Sequence, residues 1–171
     1  ALEKMGMKTA LKWSNDVLAQ SDGRWWKVAG ILCESRIVNG RRAAICGIGI
    51  NLRQSREFFE SCGLEDASSL AEVFGKGTDF GQDFEQKLLE ELSQALFYKL
   101  TDVNGEQARQ EYSNCCITLH KTVKIDGNGQ QFCAYAKEIA PDGSLVCIKD
   151  KKEFVVRAGE VSVRGIDRYA Q

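Results

Sequence analysis

With only one histidine, His120, and no C-x-x-C spacing among its seven cysteines, this sequence lacks the ligand set of a Cys/His zinc site. No apolar run approaches the roughly 20 residues that a bilayer-spanning helix needs, and no signal-peptide pattern opens the chain. Neither sign of charge dominates: 23 Lys and Arg stand against 24 Asp and Glu. The basic residues are scattered, with Arg41-Arg42 and Lys149–Lys152 the densest groups. The basic stripe of a nucleic-acid footprint is therefore missing. The phosphate-binding glycine motifs are missing as well. Gly47-Ile48-Gly49 has neither the third glycine nor the helix start of a dinucleotide fingerprint, and no Gly-Lys precedes Ser or Thr as in a P-loop.

What is present belongs to a folded, core-bearing protein. The 171 residues are 43% hydrophobic and 27% charged, enough for one domain of ordinary size or a medium domain plus a small one. Cys33, Cys46, Cys133 and Cys147 sit inside apolar runs, which predicts buried, reduced thiols of a cytosolic protein. Leu2 and Met5 share a helical face and Gly6 fits a C-cap. The opening residues thus read as the end of a helix, and the sequence as the latter part of a longer protein.

The hydropathy pattern changes twice along the chain. Thr9 to Trp13 predicts a short strand, Ser21-Asp22-Gly23 a turn, and Trp25 to Glu34 a second strand. Asn39-Gly40 between apolar flanks predicts a hairpin, with Ala43 to Ile50 as the partner strand, buried on both faces by its apolar continuity. Helical spacing then takes over. Ser68 to Phe74 reads as a short helix. Asp83 to Leu100 is a long one, with Phe84, Leu88, Leu89, Leu92, Leu96 and Leu100 three and four apart and Thr78 or Asp79 as its cap. Gly105 to Tyr112 adds another helix. From Ile117 the period falls to two, with strands at Val123–Ile125, Phe132–Ile139, Leu145–Lys149, Glu153–Arg157 and Val161–Arg164, and a turn at Pro141-Asp142-Gly143. The expectation is an α+β domain over 1–113, a linker near Ser113–Cys116, and a small β-barrel over 114–171.

Four stretches hold the polar residues that chemistry would use. Lys12-Trp13-Ser14-Asn15-Asp16 ends a strand with an ammonium, an amide and a carboxylate; it is either an Asx turn or the lip of a site. Lys27 opens the apolar run Val28-Ala29-Gly30-Ile31, where it either snorkels at a sheet edge or meets an anion at a pocket mouth. Gly30, Gly47 and Gly49 weaken strands but allow close approach of a ligand, and Asn51 follows with a donor and an acceptor. Gly159-Glu160-Val161-Ser162-Val163-Arg164 is either a plain last strand or part of a basic face.

In this order, K-W-x-N-D-V-L, K-V-A-G-I-L-x-E, G-I-G-I-N-L and G-E-V-S-V-R closely resemble biotin protein ligase, over Leu2 to Arg164. The resemblance implies a partial catalytic domain like that of class II aminoacyl-tRNA synthetases, a mixed β-sheet with packed helices, followed by an SH3-like barrel. It implies ATP, Mg²⁺ and biotin as substrates and cofactors, and the biotin carboxyl carrier domain of a carboxylase as partner, in the cytoplasm, with a homodimer as an option. By position, Lys27 would hold the biotin carboxylate. Asp16 would stand near the reacting carbonyl and the incoming lysine. Asn51 would meet the nucleotide base. Gly30, Gly47 and Gly49 would make room for the adenylate, with Lys12 and Asn15 shaping the same edge. Arg164 and Lys124 match basic barrel positions. No residue is implied as a resident metal ligand. Two departures stand out: Ser14 replaces the family's proline, and the family's glycine- and arginine-rich loop, which lies upstream of K-W-x-N-D, is absent from these residues. The alternatives are a non-catalytic binding or dimerising fragment and a lipoate-ligase-like acyltransferase.

Overall fold

The computed structural model describes residues 1–75, 80, 82–101, 104–127, 130–158 and 162–165. A 3₁₀ turn, Leu2–Met5, ends on Gly6 at φ 88°, as the sequence predicts. Four strands follow: β1 (Thr9–Lys12), β2 (Asp16–Ser21), β3 (Arg24–Val38) and β4 (Arg41–Ile50), in spatial order β1-β2-β3-β4. Two-residue turns, Asp22-Gly23 and Asn39-Gly40, join β2 to β3 and β3 to β4. In both, the two residues have positive φ, 51° and 74°, the conformation whose twist matches that of the flanking strands. Tight turns force antiparallel neighbours, so every ladder in this sheet is antiparallel where the family resemblance implied a mixed sheet. Parallel pairing is confined to two isolated bridges, Leu11↔Cys116 and Lys27↔Ala67.

The β2–β3 ladder is irregular at one point. Val17 pairs with Ala29 but Leu18 pairs with Lys27, which leaves Val28 as an extra residue on β3. Such a bulge reverses the faces beyond it. Val28 is fully buried beside Met7, Ala19, Leu70 and Leu88. Leu70 comes from α2 (Leu70–Phe74), capped by the Ser69 hydroxyl, and Leu88 from α3 (Gln82–Thr101). Burying each leucine contributes about 1.5–3 kcal/mol. On α3 the expected stripe packs through Phe84, Leu88 and Leu92, whereas Leu89 and Leu96 are exposed. The proposed Thr78 and Asp79 caps lie outside the described residues.

Three expectations need correction. β4 is not buried on both faces: it is the edge strand, and residues 44–47 are exposed. Cys33, Cys46 and Cys133 are exposed, and only Cys147 of the four strand cysteines is buried. An unexpected helix, α1 (Arg56–Ser61), starts at the Ser55 cap and buries Phe59. At six residues it is too short to show a helical period.

The stretch read as a linker is helical: α4 (Gly105–Cys115), capped by Asn104, runs through it. Ile117 N–H then donates to Leu11 C=O at 2.9 Å, so the chain enters its second half against β1. There β5 (Thr122–Gly127), β6 (Gln130–Ile139), β7 (Leu145–Lys149), β8 (Lys152–Val156) and β9 (Ser162–Gly165) form a second antiparallel sheet, ordered β8-β7-β6-β5-β9. Alternate residues Val123, Ile125, Ala134, Ala136, Leu145 and Cys147 make its core. Trp13 joins that core from the other half of the chain. Its backbone N–H donates to Thr118 Oγ1 at 2.9 Å and its indole Nε1–H to Gly143 C=O at 3.0 Å.

Candidate active site

Directly paired residues on neighbouring strands share a face of the sheet. Lys12 pairs with Asp16, Asp16 with Gly30, and Gly30 with Gly49. The four therefore form one row across one face, and Gly47, opposite Leu32, lies on that face too. Plain alternation would put Lys27 on the opposite face from Gly30. The bulge at Val28 brings it to the same one.

The cluster that results is tight. Lys27 Nζ lies 2.6 Å from Asp16 Oδ1, and Lys12 Nζ lies 3.1 Å from Asp16 Oδ2. The Asp16 and Lys12 side chains are 13% and 16% exposed, that of Lys27 43%. Two ammonium groups share one carboxylate, and the more accessible of the two is Lys27. Such a group is suited to a carboxylate or phosphate brought to the sheet face. The Lys27 main chain is fixed: its N–H donates to Asp66 C=O at 2.9 Å, and its C=O accepts from Ser68 N–H at 3.0 Å.

The three glycines beside this cluster have no folding reason to be glycine. None has positive φ. A Cβ at Gly30 would meet Lys27 and one at Gly47 the Leu32 carbonyl at 3.8 Å, an ordinary contact, and one at Gly49 would meet nothing within 4 Å. Strand glycines cost stability. All three lie on one face of the sheet, and above Gly49 the space is open.

The remaining sequence candidates divide. Asn15 is exposed beside the cluster; its C=O accepts from Ile31 N–H at 2.9 Å and its Oδ1 from the Ser14 hydroxyl at 3.3 Å. Asn51 is partly committed to structure, its Nδ2 donating to Ser68 C=O at 3.2 Å and to Lys27 C=O at 3.5 Å. Arg164 lies opposite Lys124 on β9 and β5; its backbone alone is described. Among the described residues no group of three or more His, Cys, Asp or Glu could hold a metal.

Tyr112 was not among the sequence candidates. Its hydroxyl donates to Ser14 C=O at 3.2 Å, from 98 residues away in the chain, a separation no spacing rule reaches. Burial pushes that hydroxyl's pKa well above the usual range, with Cys116 and the Asp16 charge adding to the effect. Tyr112 also lines a cavity of about 370 Å³ with Trp13, Ser14, Arg109, Ile139 and Pro141.

An α+β chain with two antiparallel sheets and a lysine–carboxylate cluster over a glycine-lined face is thus defined. No protein-family model matches it. It is 30% identical over 155 residues to the biotin–[acetyl-CoA-carboxylase] ligase of Mycobacterium tuberculosis, a match covering 90% of this chain and 53% of that protein. It is 36% identical over 78 residues to the bifunctional ligase/repressor BirA of Bacillus subtilis, covering 45% of this chain and 23% of that one. The chain therefore spans about half, or less, of the curated relatives it matches. The crystal structure of biotin protein ligase from Aquifex aeolicus aligns with a TM-score of 0.69 at 25% identity, over 96% of this chain and 68% of that one. The form of that ligase in complex with biotin and ATP aligns with a TM-score of 0.68 at 24% identity, a likeness of fold. The chain is thus similar to biotin protein ligases along nearly its whole length.

Proposed function

We propose that this chain is part of a biotin protein ligase, which joins biotin to ATP and passes biotin to a lysine of a carboxylase's biotin carrier domain. The observation that carries this reading is the Lys12–Asp16–Lys27 cluster beside three glycines that the fold itself does not require. In the first step the biotin carboxylate attacks the α-phosphorus of ATP, giving biotinyl-5′-AMP and releasing pyrophosphate. Two anions must meet, and fixed positive charge offsets their repulsion. Lys27 is the group for this: its ammonium is half-exposed and its main chain is clamped. Gly30, Gly47 and Gly49 leave the strand surface open for the flat adenylate. Asn15 and Lys12 bound the same edge, and Asn51 retains its Oδ1 as an acceptor toward the base.

In the second step the acceptor lysine attacks the mixed anhydride and AMP leaves. The amine must lose a proton, and Asp16 is the carboxylate at hand to orient it or take that proton. Among the described residues Mg²⁺ finds no protein site built for it, and Asp16 is occupied by two lysines. The ion fits as a companion of the ATP phosphates, brought with the substrate.

In this reading residues 1–113 are part of a catalytic domain of the class II aminoacyl-tRNA synthetase kind. Residues 114–171 are an SH3-like domain in which Arg164 and Lys124 match basic positions that would serve nucleotide or acceptor. The family's glycine- and arginine-rich loop is not among these 171 residues, so the full reaction needs that segment supplied. The protein would act in the cytoplasm, and a homodimer fits the exposed edge strand β4.

The test is biotin transfer to a purified biotin carrier domain with ATP and Mg²⁺, by this chain alone and with the upstream ligase segment added. Transfer only with the segment supports the reading. No transfer from well-folded protein in either case overturns it.

A further inference from the structure

The exposed edge of the first sheet carries a second chemical feature, apart from the lysine cluster. Cys33 on β3 and Cys46 on β4 are directly opposite in register, both are exposed, and their sulfurs lie 3.6 Å apart. Three more exposed cysteines, Cys62, Cys115 and Cys133, stand on separate elements. The register shows why the two sulfurs meet. The two-residue turn closes on Val38↔Arg41, the hydrogen-bonded pair of such a hairpin. Pair types then alternate, so Cys33↔Cys46, an odd number of steps away, is a non-hydrogen-bonded pair. There the Cα atoms approach to about 4.5 Å and side chains stand closest. That separation falls within the roughly 4.4–6.8 Å that a disulfide spans.

We propose that Cys33 and Cys46 form a dithiol modification site that a small-molecule disulfide oxidises reversibly to a cross-strand disulfide. Cys33 S–H points at Cys46 Sγ, and that contact, with partial burial, raises the Cys33 pKa above its ordinary value. Either sulfur can open the exchange, and Cys46 serves as the example. Its thiolate displaces one thiolate from the small disulfide and leaves a mixed disulfide on Cys46. Cys33 then gives its proton to solvent, attacks Cys46 Sγ and expels the second thiolate. The protein loses two protons and two electrons, and the small disulfide becomes two thiols; an excess of small thiol reverses both steps. The bond would lie one residue pair beyond Leu32↔Gly47, tying β3 to β4 on the face opposite the glycine row. This inference does not depend on the ligase reading.

The sequence provides a clean readout. Arg36, Arg41 and Arg42 lie between the two cysteines, so trypsin separates residues 28–36 from 43–53 unless a disulfide joins them. The reduced chain is incubated with oxidised glutathione and digested without reductant, and its peptides are weighed. The expected result is the 28–36/43–53 pair joined by one disulfide, its yield independent of protein concentration. Cys33→Ser, a conservative change at an exposed position checked for fold by circular dichroism, should instead hold a glutathione adduct on Cys46. Glutathione adducts on both Cys33 and Cys46 in the same molecule would overturn the proposal. So would two free thiols there while Cys62, Cys115 or Cys133 reacts.

Discussion

Asp16 is held between two ammonium groups, 2.6 Å from Lys27 Nζ and 3.1 Å from Lys12 Nζ. The arrangement is asymmetric: one carboxylate serves two lysines, so removing it differs from removing either partner. Asp16→Asn leaves two like charges side by side on a part-buried surface and should lower stability by about 1–2 kcal/mol. Lys27→Ala removes a half-exposed partner and should cost under about 1 kcal/mol. Urea unfolding of both variants checks the order. Equal costs would mean that Asp16 does not neutralise the pair.

The same two changes separate structure from chemistry. In a ligase completed with the upstream segment, Lys27→Ala should lower biotinyl-adenylate formation by about 100-fold or more, the scale of losing one preorganised charge at a developing anion. Pyrophosphate release measures it directly. Activity within a few-fold of the parent would remove Lys27 from the proposed role.

Trp13 joins the two halves of the chain. Its indole is buried in the second sheet's core while its neighbours Lys12 and Asp16 form the site. Trp13→Ala should cost about 3–5 kcal/mol, and Thr118→Val, which leaves the Trp13 N–H without its acceptor, about 1–3 kcal/mol. Chemical denaturation gives both values. Each variant should also loosen the site, which a rise in hydrogen exchange at Ile31 N–H, bonded to Asn15 C=O, would record.

Much of this was legible in the sequence because short-range chemistry determined it. Asp22-Gly23 and Asn39-Gly40 announced their turns, and the α3 leucines their face. The strand cysteines misled because apolar continuity was taken for burial. A strand that leaves a face uncovered has the same composition as a buried one, and only the packing on that face distinguishes them. The face occupied by Lys27 was beyond any periodicity argument, since it depends on one extra residue at Val28. The partners of Trp13 and Tyr112 lie about a hundred residues away or more, and tertiary packing alone brings them together.

Cys147 gives the fold a pH dependence that can be predicted in sign. Burial pushes its thiol pKa from an ordinary 9.0 up to about 11. The folded state therefore keeps this proton where the unfolded chain has lost it. The stabilisation is complete below pH 9 and is lost as pH rises toward 11, on the order of 2 kcal/mol in all. Tyr112, also raised, acts in the same direction at higher pH. Cys147→Ala should cost about 1 kcal/mol at neutral pH from the lost packing and flatten the decline between pH 9 and 11. Thermal unfolding of both proteins across that range tests it, and parallel curves would reject it.

Gly49 offers the sharpest separation of fold from function. It has ordinary backbone angles and nothing within 4 Å of where a Cβ would lie. Gly49→Ala should therefore leave stability unchanged or raise it by up to about 1 kcal/mol, as the strand loses an entropically costly glycine. Gly49→Leu should also fold, its side chain standing in open space above the row that holds Gly30, Asp16 and Lys12. If that space is where the adenylate lies, leucine should weaken ligand binding by well over tenfold and alanine by less, in a series that follows side-chain volume. Calorimetry with biotinyl-adenylate, run on the completed ligase, gives the affinities, and unfolding midpoints give the stabilities. Undiminished affinity in the leucine variant would mean that the glycine face is not the ligand's floor, and the assignment of Gly30, Gly47 and Gly49 would fall with it.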